Sequence, residues 1–95
     1  MKTEITTEEK VLFDRCAGIA IQGARDYLTT HGLTADNAKL AACLSSWMKI
    51  KFFEAMADAK AALDCGMTAV AMQTFSLTMR QAGIEAAREA SNPGL

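Results

Sequence analysis

Between Gly32 and Gly66 the chain holds neither glycine nor proline, and its apolar residues recur in that interval along two helical lines rather than one. Ala41, Leu44, Met48, Phe52, Ala55, Ala59 and Ala62 follow one another at intervals of three and four, which places them on one side of a helix. Cys43, Trp47, Ile50, Glu54, Ala57 and Ala61 repeat the same intervals, with Phe53 on that second side. Side chains turn by about 100° per residue, so the two seams stand roughly 150° apart. A helix in a three-helix monomer meets two neighbours through adjacent strips of one broad face. Seams set this wide ask for a further partner.

The flanking punctuation gives the rest of the fold. Thr6 and Glu9 form a capping box, with Glu8 beside it, at the head of a first helix over about 7–30 that Gly32 stops. Thr34 is the expected cap of a second helix over about 35–64, with Asp36 in its first turn, and Gly66 ends it. A third helix over about 68–90 runs to Ser91, Asn92, Pro93 and Gly94, which cannot continue it. Loops this short predict an all-α, three-helix antiparallel bundle, up-down-up, that pairs as a homodimer. The alternative is a break at Ser45-Ser46, giving four shorter helices.

The first helix has one apolar side, Phe13, Cys16, Ala20, Gly23 and Tyr27, broadened by Leu12, Ala17, Ala24 and Leu28. On the third, Ala71, Met72, Phe75, Met79, Ala82 and Ala86 make a core face. Val70, Leu77 and Ile84 recur every seven residues on nearly the opposite side, a thin coiled-coil-like strip interrupted by Gln73, Thr74 and Gln81. Added to the second seam of the neighbouring helix, that strip would make an apolar patch larger than monomers normally expose.

Composition narrows the function. A chain that is 51% hydrophobic and 22% charged buries enough apolar surface to fold, and residues 1–95 are the size of one domain. Its lysines and arginines are scattered and the net charge is −1, so the basic patch that nucleic acid requires is not expected. Lys49 and Lys51, beside Trp47, Phe52 and Phe53, read as lysines flanking an apolar stripe with their heads in water. The odd count of cysteines, Cys16, Cys43 and Cys65, argues against a disulfide framework and for a reducing cytoplasm. Nothing at the start resembles a signal core, and no apolar run approaches the roughly 18 residues a membrane span needs.

Catalytic chemistry finds little purchase. His31, the only histidine, sits beside Gly32 at a helix C-terminus, where the dipole accounts for it without a metal or a reaction. The cysteines have no nearby base, and Cys65 is the one open to oxidation. Glu54 inside the second seam is expected to set register between partners or to join an exposed charge cluster with Lys51 and Asp58, rather than to act as a general acid. "GLTADNAK" lacks the second glycine and the Lys-Ser/Thr ending of a phosphate loop. Met48, Met56, Met67, Met72 and Met79 serve mainly to fill gaps between alanine-rich helices.

No enzyme, cofactor or metal site is expected. The chain reads as a non-enzymatic interaction module that binds a protein partner or its own copy through Cys43, Trp47, Ile50, Phe53, Glu54, Val70, Leu77 and Ile84. An adaptor, or a small inhibitor of the phage or mobile-element type that blocks a larger machine, fits this description. The other class is a small regulatory domain holding an apolar molecule between its helices, which needs a cavity that alanine-rich packing tends to close.

Overall fold

The computed structural model describes residues 7–92. The capping box of Thr6 and Glu9, with Glu8, the Leu12 side chain and the Pro93-Gly94 stop lie outside the described residues. Those described form three helices, α1 (Thr7–His31), α2 (Asn37–Asp64) and α3 (Thr68–Ala90), and no strand.

Both glycines stop their helices in the same way. Gly32 and Gly66 have φ of 61° and 78°, the left-handed region that costs a glycine least. After α1, the Gly32 N–H donates to Thr29 O (3.3 Å) and the Leu33 N–H to Leu28 O (2.9 Å). After α2, the Gly66 N–H donates to Leu63 O and the Met67 N–H to Ala62 O, each at 2.8 Å. These paired bonds satisfy carbonyls that a helix end leaves open.

The start of α2 differs from expectation. Asp36 rather than Thr34 is its cap, with extended backbone and a carboxylate that accepts the Lys39 N–H at 2.8 Å, so the helix begins at Asn37. Either side chain suits the role chemically; the path of the connection from Gly32 decides between them. No break occurs at Ser45-Ser46: α2 is one helix of 28 residues. At 1.5 Å per residue it is about 42 Å long, which matches the longest dimension of the described body, 44 Å.

Helix α3 packs along both others, whereas the backbones of α1 and α2 come close at few points and meet through side chains. Glycine sets how α1 lies on α3. A Cβ on Gly83 would strike the Ala20 carbonyl oxygen and sit 2.6 Å from its carbon, and one on Gly23 would sit 2.5 Å from the Arg80 carbonyl oxygen. The two backbones therefore meet where only hydrogen fits between them. Around this crossing lies a core of Cys16, Ala20, Met48, Phe52 and Met79. The Phe52 ring meets Phe13 edge-on at 5.0 Å and Phe75 at 6.0 Å, joining all three helices.

The first seam of α2 is buried at Met48, Phe52, Ala55 and Ala62. On α3 the expected core face holds at Ala71, Met79, Ala82 and Ala86, but Met72 is 63% exposed. The close contact between α1 and α3 falls at Arg80 and Gly83, about two turns and more beyond Met72, so the first turns of α3 are left partly uncovered.

Candidate functional site: the outer side of α2 and an apolar groove

The second seam stands on the outer side of α2. Ile50 is 53% and Phe53 54% exposed, while Cys43 and Trp47 are half-buried and Ala57 and Ala61 are exposed. Glu54, also exposed, forms an ion pair with Lys51 one turn earlier, 3.4 Å apart. An exposed pair of this kind contributes little stability.

Phe53 is set apart from its companions. Its ring lies 5.6 Å from that of Phe52, and it borders an open cleft shared with Phe13 and Ile21 of α1. Six residues of rotation separate it from Trp47 by about 120°. The line Cys43, Trp47, Ile50 is thus one surface, and Phe53 belongs to its edge nearest α1.

On α3, Val70 and Leu77 are exposed and Ile84 half-buried. This strip does not run on directly from the α2 seam. Arg80 and Gly83 mark the flank of α3 that meets α1, and the other flank carries the half-buried Thr74, Thr78 and Glu85. Polar side chains therefore separate the α3 strip from α2.

Between Arg15, Cys16 and Ile19 of α1, Met56 and Leu63 of α2 and Met72 and Phe75 of α3 there is a groove of about 380 Å³. It follows from the fold. The backbones of α1 and α2 approach each other at few points, which leaves the groove open between the three helices. The sequence carried one hint of this: Leu63, Met67 and Met72 cluster around the Gly66 turn, an unusual place for large apolar side chains.

Of the remaining reactive groups, the Cys16 thiol and the Asp26 carboxylate are held by their surroundings. Cys16, fully buried, has its thiol pushed up to about 11 by desolvation, which leaves no thiolate at neutral pH. Cys43 and Cys65 are also free thiols, half-buried and exposed. His31 ends α1, exposed, with its ring 4.4 Å from that of Tyr27. Asp26 accepts from Arg80 Nη1 and from Gln22 Nε2, each at 2.8 Å, and these bonds hold its carboxyl below the usual range. Among the described residues, no three His, Cys, Asp or Glu side chains gather as a metal site would need, and no helix is long and apolar enough to cross a membrane. Compared with protein-family models, curated proteins and solved structures, the chain matches none of them.

Proposed function

We propose that this is a non-enzymatic interaction module whose α2 outer side, centred on Trp47 and Ile50, makes a protein–protein contact. The observation that carries this is the exposure of Ile50 (53%) on an unbroken helix as long as the described body. Burying such a side chain is worth about 1.5–3 kcal/mol, and a neighbouring tryptophan is the residue type most enriched where binding energy concentrates. Within the unit the helices run up-down-up. Support comes from the tight Gly66 turn and from Lys39 Nζ, which donates to Asn92 O at 3.4 Å and so brings the start of α2 to the end of α3. The contact is with a second copy in a two-fold homodimer, and the same surface suits an adaptor or an inhibitor docking on a larger machine. Three free thiols fit a reducing, cytoplasmic setting.

Two substitutions one turn apart or less test this. Ile50→Asp should abolish association while circular dichroism at 222 nm stays near the wild-type value. Phe52→Ala, which empties the centre of the core, should instead cost about 3–5 kcal/mol of stability. Equal loss of helicity in both would mean that the two residues share one core, and the proposal would fall.

A further inference from the structure

The groove beside the Gly66 turn has a composition that the outer side of α2 lacks. Its walls are apolar, from Cys16, Ile19, Met56, Leu63, Met72 and Phe75, and the charged side chains among its described lining residues are two cations, Arg15 and Lys60. Elsewhere Lys51 and Arg80 have acidic partners. Among the described residues, Arg15 and Lys60 have no ion pair, and neither have Lys10, Arg25, Lys39, Lys49 and Arg88.

We infer that this groove binds a free single-chain anionic amphiphile, a medium- or long-chain carboxylate, with its hydrocarbon along Ile19, Met56, Met72 and Phe75 and its headgroup between Arg15 and Lys60. Size selects the chain. At about 380 Å³ the groove lies at the small end of ligand sites, which run from about 300 to 1,000 Å³. Charge selects the headgroup. A neutral hydrocarbon would leave both cations unused, and a bare anion would leave the walls wet. Met56 and Met72 suit a flexible ligand, since an unbranched thioether side chain adapts to the chain that lies on it.

The inference is independent of the contact on α2, which lies on another side of the same helix. Laurate, kept below its micellar concentration, is the probe, with methionine-methyl NMR as the readout. Met56 and Met72 should shift on titration, whereas Met48, in the core beyond the groove, should not. In a series of n-alkyl carboxylates the dissociation constant should fall about three- to fourfold per added methylene until the groove is full, the factor that corresponds to about 0.8 kcal/mol per buried CH₂. Arg15→Gln with Lys60→Gln, both surface changes that leave the fold intact, should weaken laurate about tenfold and leave dodecanol unaffected. Ile50→Asp should bind laurate as the wild type does, so failure of the α2 contact and failure of this site are told apart. Three results would overturn the inference: no shift at Met56 and Met72, equal affinity for laurate and dodecanol, or binding to anionic phospholipid vesicles without binding of monomeric laurate. The last would make the surface a membrane contact.

Discussion

Gly83→Ala tests the crossing of α1 over α3 through the sign of its effect. Two terms oppose each other. Alanine inside a helix is favoured over glycine by about 0.8–1.0 kcal/mol, so in open space the substitution would stabilise α3. At Gly83 the new methyl group meets the Ala20 backbone, striking its carbonyl oxygen and lying 2.6 Å from the carbon and 3.0 Å from Cα. Backbone cannot rotate away as a side chain can, so α1 must retreat on the order of 1 Å, and overpacking of this kind costs about 1–3 kcal/mol or more. With the overpacking cost at the upper end of that range, the net is a loss of about 2 kcal/mol, a fall in Tm of roughly 8–16 °C for a domain of this size. Gly18→Ala supplies the control. It lies exposed in α1 with nothing within 4 Å of a Cβ, so the propensity term acts alone and stability should rise by about 0.5–1 kcal/mol. Urea unfolding followed at 222 nm measures both. If Gly83→Ala is as stable as Gly18→Ala, the helices do not cross at Ala20, and the groove that this crossing leaves open loses its structural basis.

Two further outcomes are expected. The Cys16 thiol is raised from 9.0 to about 11 in the folded protein, so between those pH values the unfolded chain ionises and the native state does not. The unfolded state then binds fewer protons, and stability falls as pH rises through the window, by roughly 3 kcal/mol in all. Cys16→Ala should lose this part of the alkaline slope, and identical slopes in the two proteins would refute it. Trp47 emission should move to longer wavelength as the wild type is diluted through dissociation, since the half-buried indole loses its cover; an emission maximum that stays fixed while the mass halves would place Trp47 outside the contact.

What the sequence disclosed and what it withheld divide along local and tertiary physics. Gly32 and Gly66 were legible as stops because a left-handed residue is a local demand that glycine meets best, and both end their helices with the expected bonds. The burial of Met48, Phe52, Ala55 and Ala62 follows from their spacing alone. Asp36 displaced Thr34 as the cap because two competent side chains lay two residues apart and only the path of the chain chooses between them. Met72 was misplaced for a tertiary reason: periodicity assigns a side of α3 but says nothing about how far along it α1 extends. The groove was hidden for the same reason. Arg15 and Lys60 belong to different helices, and only the packing of the three helices brings both to the lining of one groove. Phe53 was grouped with Trp47 by side, yet about 120° of rotation puts it next to Phe13 and Ile21.

Light scattering after size exclusion, on the wild-type chain over a range of concentrations, tests the central proposal of a contact through α2 most directly. A single chain weighs 10.2 kDa. At tens of micromolar the mass should be about twice that value and should fall toward it on dilution, as expected for a two-fold dimer held by one apolar surface. A constant 10.2 kDa across the whole range would contradict the account, because Ile50 would then stand exposed on a monomer with no second copy to cover it.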